Sequence, residues 1–177
     1  PYTAMQIVDV ETGTTVLGPG EQGEIRAKGP QIMSVYSNRP DDTAQALRDG
    51  WLYTGDIGEC DEYGNFFIRD RKKDMSIVGG YNVYPREIDE VLHAHPAVLE
   101  AAAIGIKDDY LGEGIHAQVV LKKGIHTTVD ELDSYCRENL AKYKVPRKIV
   151  ISHNIPKTTV GKIDKAALRS QMKETNT

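Results

Sequence analysis

An α+β fold in two parts is the expectation for these 177 residues, and three observations predict it. Short segments of strand-like alternation, separated by glycine turns, fill the first seventy residues. The charged run Arg69-Asp70-Arg71-Lys72-Lys73-Asp74 then breaks that texture. Beyond it the order is hairpin, helix, strand, strand, helix, strand, helix, which suits one compact domain of about a hundred residues. The expected fold is a small β-barrel-like segment followed by a compact α+β domain, in which a short hairpin and a small sheet are packed by helices.

In chain order, residues 5–10 open with a strand pattern, and Gly13, Gly18, Pro19 and Gly20 supply turn chemistry after it. Residues 23–29 alternate polar and apolar side chains like a half-exposed strand. Residues 41–47 read as a short helix with Asp41 and Asp42 at its N-terminal end, where the macrodipole favours carboxylates. Residues 51–57 and 65–69 are strands joined by the turn Asp61-Glu62-Tyr63-Gly64. The charged run, taken alone, is a solvated surface turn. Residues 75–83 form a second hairpin around Gly79-Gly80, and Pro85 opens a helix over 86–94 that aligns Ile88, Val91 and Leu92. Residues 98–106 and 115–121, rich in Ala, Val and Ile, are strands. Thr128 and Glu131 have capping-box spacing at the start of a helix over 128–140. A strand over 149–151 and a helix over 164–173 complete the pattern.

With 40% hydrophobic and 27% charged residues, the chain can bury a core under a polar surface. A net charge of -4 gives no electrostatic footprint for nucleic acid. Cys60 and Cys136 lack metal or redox spacing and read as free thiols of a cytoplasmic protein. No apolar run approaches the ~20 residues that span a bilayer, and peripheral membrane association stays open. The chain opens at Pro1 on the threshold of a strand pattern, which reads as a piece of something longer.

Three polar constellations can carry chemistry. Tyr53-Thr54-Gly55-Asp56 stands where a strand gives way to a turn. An ionised Asp56 offers two acceptor oxygens to a vicinal diol such as ribose, or else satisfies a glycine turn. Arg71, with Gly79-Gly80-Tyr81 downstream, joins a fork of donors for hydroxyl or phosphate oxygens to paired glycines. Those glycines let a thin ligand pass close to backbone, or simply turn a hairpin. Finally, Pro156-Lys157-Thr158-Thr159-Val160-Gly161-Lys162-Ile163-Asp164 puts Lys162 on a loop just before a helix. Its point charge there reaches a carboxylate or phosphate, or only solvent. The glycine spacing of a phosphate-cradling P-loop is absent.

Taken in order, four motifs resemble the adenylate-forming superfamily, and within it the fatty-acyl-CoA ligase branch. They are Tyr53-Thr54-Gly55-Asp56, then Asp70-Arg71-Lys72-Lys73-Asp74-Met75, then Gly80-Tyr81-Asn82-Val83-Tyr84-Pro85-Arg86-Glu87-Ile88, then Gly161-Lys162-Ile163. The resemblance covers essentially the whole chain, Gly23-Glu24-Ile25 included. It implies an enzyme that makes an acyl-adenylate from a carboxylic acid and ATP, then passes the acyl group to the thiol of CoA. By that resemblance residues 1–72 are the closing, β-rich piece of a large N-terminal domain, and 73–177 are the mobile C-terminal domain. Asp56 would hold the ribose hydroxyls, Arg71 would contact ribose or phosphate, and Ile68 would line the nucleotide. Lys73 falls at the hinge. Lys162 matches the adenylation lysine, which bridges the acid and the α-phosphate; a rotation then withdraws it and brings Gly79, Gly80 and Tyr81 against the pantetheine arm of CoA.

The resemblance also implies that the phosphate loop, the acyl pocket and the glutamate that binds Mg2+ lie upstream of Pro1. The chain alone is then not expected to turn over, and no metal ligand is expected within it. Ile77 stands where luciferase-like relatives keep a lysine, and Asn82 where other branches place an arginine near CoA. Lys142, Lys144 and Arg147 are candidates for the CoA phosphates, or are surface charge. The expected acid is a medium- or long-chain fatty acid. Two alternatives stay open: an acyl-AMP ligase that loads a carrier protein, and a non-catalytic interaction module that keeps the fold. Oligomeric state is not legible.

Overall fold

The computed structural model describes residues 2–174. They form two compact units that divide between Lys73 and Asp74. The first contains β1 (Ala4–Val8), β2 (Gly23–Lys28), the short helix α1 (Pro40–Ala46), β3 (Leu47–Arg48), β4 (Trp51–Cys60) and β5 (Phe66–Arg71). The barrel-like segment expected here is a five-stranded sheet, ordered β1-β2-β4-β3 with β5 also on β4, and every pair is antiparallel. Its core is Ile7, Val8, Ile25, Tyr53 and Ile57.

Two readings of this unit change. Residues 23–25 do not alternate, because Gly23, Glu24 and Ile25 are all buried. The Glu24 carboxylate tolerates that burial because Lys72 Nζ meets it at 2.8 Å. The charged run over 69–74 is not a solvated turn either. Strand β5 continues to Arg71, and Asp70 is buried opposite Ile57, so pairing with β4 turns one member of the run inward. Only Lys72–Asp74 leaves the sheet, as a single 3-10 turn.

The second unit begins with the hairpin β6 (Ser76–Val78) and β7 (Tyr81–Val83), then α2 (Pro85–Ala94), β8 (Val98–Asp108) and β9 (Gly112–Leu121). Helix α3 (Val129–Asn139), β10 (Lys148–Ser152) and α4 (Lys165–Glu174) follow. Strand β9 is the centre of the sheet. It pairs antiparallel with β8 along its length, parallel with β10, and with β6 through Val78 and Gly112.

Strand β8 reads as a continuous apolar run because both of its faces are covered. Ala101 and Ala103 join Ile88 and Leu92 of α2, and Leu132 and Cys136 of α3, in one core. Ala102, Ile104 and Ile106 turn the other way and pack with Leu168 and Met172 of α4. Cys60 and Cys136 are both free thiols; Cys136 is fully buried, and burial, then Asp133, pushes its pKa up to about 11. Among the described residues no helix is long and apolar enough to cross a membrane.

The Thr128 capping box forms as expected. Thr128 Oγ1 accepts from the Glu131 amide at 3.2 Å, and the Glu131 carboxylate accepts from the Thr128 amide at 2.9 Å. The Thr127 hydroxyl, and then the Thr128 amide, hold the Glu131 carboxyl below the usual glutamate pKa. Thr128→Ala is expected to cost about 1 kcal/mol in urea unfolding at neutral pH. A depressed carboxylate stabilises the fold above its unfolded pKa and ceases to do so as pH falls through the lowered value. Thr127 and the residue-128 amide survive Thr128→Ala, so the acid-sensitive part belongs to Glu131: the parent should lose its advantage over Glu131→Gln as pH falls, and urea midpoints measured across that range check it.

Candidate functional site

The polar face of the first unit is built by two strand irregularities. Between the pairs Glu24–Ile57 and Arg26–Tyr53, Ile25 alone faces Thr54, Gly55 and Asp56, so β4 bulges there. Asp56 thus lies inside a ten-residue strand, not at the strand end where the sequence suggested a turn. Gly55 permits the bulge by adopting φ 70°. Thr54 Oγ1 donates to the Ile25 carbonyl at 2.8 Å and accepts from the Asp56 amide at 3.1 Å, while Glu24 accepts from the Gly55 amide at 3.2 Å.

The second irregularity is on β5, where Asp56 pairs with Arg71, Ile57 with Asp70, and Gly58 with Ile68, so that Arg69 is the extra residue of a bulge. Paired residues share a face, so Ile68 and Arg71 both lie on the Asp56 side despite their odd spacing. Arg71 Nε meets Asp56 Oδ1 at 2.9 Å, and Ile68 is 57% exposed beside them. Asp56, Ile68 and Arg71 therefore make one surface: an acceptor oxygen, Oδ2, with no partner among the described residues, next to a guanidinium and an open apolar side chain.

In the second unit the Gly79-Gly80 pair is a two-residue turn with φ 57° and 86°, the signs of a type I′ hairpin. Tyr81, at the end of the turn, stacks on Tyr143 with ring centroids 4.5 Å apart. Beside the hairpin is a cleft of about 610 Å³ lined by Val78, Leu111, Ile115, Arg137, Tyr143 and Arg147, among others. The three cations suggested for CoA separate here. Lys144 pairs with Glu87 at 2.6 Å and Arg147 with Asp108 at 2.6 Å, whereas Lys142 lines the cleft without a carboxylate partner among the described residues. Sequence reasoning missed Tyr143 and Arg137; the Asp133–Arg137 spacing of one helical turn was the available signal for the latter, and the two are ion-paired.

Lys162 lies on a tightly closed loop. Lys157 and Ile163 form an isolated bridge, the Thr158 amide donates to the Lys162 carbonyl at 2.7 Å, and the Lys162 amide donates to Thr158 Oγ1 at 3.3 Å. Asp164 caps α4 by accepting from the Ala166 and Ala167 amides at 3.1 and 3.0 Å. The Lys162 side chain is exposed and without a hydrogen-bond or ion-pair partner among the described residues. Lys73, the last residue of the first unit, is exposed as well.

The hairpin and the lysine loop belong to opposite ends of β9. Val78 is tied to Gly112 at one end. At the other end Glu100 pairs with Val120, and Lys157, on the stem of the loop, reaches Glu100 at 2.5 Å. At about 3.4 Å per residue those ends are about 27 Å apart.

Residues 87–162 match the family model of the AMP-binding enzyme C-terminal domain. Over 92% of its length the chain is 52% identical to a long-chain-fatty-acid–CoA ligase of Bacillus subtilis, spanning 29% of that protein. Over 97% it is 44% identical to the protein of the same description from Salmonella typhimurium, spanning 30% of it. The crystal structure of ATP-bound MatB from Rhodopseudomonas palustris superposes on the whole chain with a TM-score of 0.91 at 37% identity, and the chain covers 35% of it. The chain belongs to the adenylate-forming superfamily, and its residues 87–162 match that superfamily's C-terminal domain.

Within an adenylate-forming chain, the Asp56–Arg71 surface, the Gly79-Gly80-Tyr81 hairpin and the Lys162 loop are three separate features, each with its own local scaffold. Among the described residues no group of three or more His, Cys, Asp or Glu side chains could hold a metal ion. At Gly80 a side chain would meet nothing within 4 Å, so what excludes it here is the positive φ rather than space. Gly80→Val should cost about 1–2 kcal/mol in thermal or urea unfolding, and Gly80→Asn, which tolerates left-handed backbone, distinctly less. Equal costs for the two would show that the turn conformation is not the constraint.

Proposed function

We propose that this chain is the C-terminal portion of an ATP-dependent acyl-CoA ligase that activates a medium- or long-chain fatty acid. The observation that carries the reading is Lys162. Its ammonium is exposed and unpaired among the described residues, while the lysines flanking its loop, Lys157 and Lys165, are neutralised by Glu100 and Asp89. A cation held in that way is available to two anions at once.

In the first half-reaction a carboxylate oxygen of the acid attacks the α-phosphorus of ATP, the bond to the bridging oxygen breaks, and pyrophosphate leaves. Lys162 offsets the repulsion between carboxylate and α-phosphate, and stabilises charge that grows in the transition state. Asp56 accepts from the ribose hydroxyls, Arg71 donates to ribose or phosphate, and Ile68 covers the nucleotide with apolar surface. In the second half-reaction the CoA thiolate attacks the acyl carbon and AMP leaves, with Gly79, Gly80 and Tyr81 bordering the pantetheine arm. Lys73 is the hinge between the two arrangements, so that residues up to it stay with the nucleotide and residues after it move. The fatty-acid assignment draws on the Bacillus subtilis and Salmonella typhimurium relatives, whose descriptions name that substrate class.

Two measurements on the full-length protein that carries this chain test the reading. Lys162→Ala should lower acid-dependent ATP–pyrophosphate exchange by about 10²–10³, while thioester formation from a supplied acyl-adenylate stays within about twofold. Equal loss of both half-reactions would remove Lys162 from the adenylation step. A panel of medium-chain, long-chain and aryl acids, read by pyrophosphate release with and without CoA, should give CoA-dependent turnover highest for the fatty acids. Preference for the aryl acids would overturn that part.

A further inference from the structure

The Lys162 loop is clamped by more charge pairs than its own length requires. On its upstream stem Lys157 reaches Glu100 of β8. On its downstream side Lys165, the first residue of α4, meets Asp89 Oδ2 of α2 at 2.9 Å, and both side chains are largely buried, at 18% and 20% exposure. The other Asp89 oxygen, Oδ1, accepts from the Ala103 amide of β8. One carboxylate therefore ties together a helix, a strand and the start of the helix that follows Lys162. One turn further along α4, Arg169 meets Asp74, the first residue of the second unit, at 3.1 Å.

We infer that Asp89 and Lys165 are positioning residues for Lys162, and that the Arg169–Asp74 pair couples the same helix to the residue next to the hinge. The inference rests on the reading of Lys162 as the adenylation lysine. Helix α4 does not need these charges to stay on the sheet, since Leu168 and Met172 already anchor it in an apolar core. The Asp89–Lys165 pair acts instead at the end of the helix nearest the loop, three residues after Lys162. A lysine has a long flexible stem, so the precision with which its ammonium is delivered depends on how firmly its backbone is held. Asp89 and Lys165 hold that backbone on one side, and Glu100 with Lys157 on the other. Because Asp74 is bound to α4, a turn of the chain at the hinge carries the Lys162 loop with it as one body instead of bending the helix away.

The test compares Lys165→Met, which keeps an apolar stem without the charge, with Lys165→Arg, which restores the charge, in the full-length protein. Lys165→Met should lower the kcat of ATP–pyrophosphate exchange about tenfold, with KM for ATP and acid within about twofold. Thioester formation from supplied acyl-adenylate should stay within about twofold, because that step uses the hairpin at the far end of β9. Amide hydrogen exchange over residues 158–163 should speed up, and Lys165→Arg should restore both the rate and the protection. Unchanged exchange kcat with Lys162→Ala still inactive would overturn the inference alone. Equal loss of both half-reactions in Lys165→Met would overturn it as general damage. If Lys162→Ala itself leaves pyrophosphate exchange intact, the underlying reading falls and the inference falls with it.

Discussion

Strand β9 is hydrogen-bonded on both edges, and the second unit is organised around that constraint. Strand β8 occupies one edge from Val98–Leu121 to Asp108–Gly112, while β6 and β10 share the other. A one-residue slip of β9 would turn Ala117 and Val119 out of the core formed with α2 and α3, so its register is strongly specified. The parallel pairing with β10 requires a crossover, and α3 supplies it while capping its own first turn through Thr128 and Glu131. The functional features then inherit their positions. The hairpin hangs from Gly112, the cleft uses Ile115 as part of its wall, and the lysine loop is tied through Glu100 to the far end.

What could be read from the sequence was local. The capping box, the Pro85 helix with Ile88 and Leu92 inward, and the turns at Asp61–Gly64 and Gly79–Gly80 involve residues within a few positions of each other, so the pattern carries them. What escaped was set by partners far along the chain. The bulge at Thr54–Asp56 exists because β4 must pair with both Glu24 and Arg26; Gly55 permits it locally, but the partners that require it lie on another strand. Asp70 looked like part of a charged surface run because its inward orientation comes from Ile57 on the neighbouring strand. Lys144 and Arg147 looked equivalent to Lys142 as cations, yet Glu87 and Asp108 claim them from remote elements. Charge type is visible in a sequence; the balance of charge at a point in space is not.

That distinction separates two uses of lysine and arginine in this molecule. Exposed ion pairs contribute about 0–1 kcal/mol or less, so pairs such as Lys157–Glu100 are weak as sources of stability. Their value lies in geometry: each fixes one end of a loop or helix whose apolar contacts would leave it free to slide by a fraction of a turn. Lys72 on the buried Glu24 does the same for the Asp56 bulge, because the Glu24 carboxylate also takes the Gly55 amide. The paired cations are struts, and the unpaired Lys162 is what the struts present.

The separation along β9 bears directly on how the two proposed half-reactions would share one centre. The hairpin and the lysine loop are fixed to a single sheet whose hydrogen bonds do not stretch, at ends about 27 Å apart. Local flexing of either loop covers a few ångströms and cannot bring both features to the same reacting carbon. If both serve one acyl group, the unit must move as a body between the two steps, and the joint must lie outside β9 and everything paired to it. The 3-10 turn Lys72–Asp74 meets that condition: it follows the last strand of the first sheet and precedes the first strand of the second. The proposed hinge at Lys73 is compatible with that condition, and Asp74, fastened to α4 through Arg169, belongs to the same unit as the lysine loop.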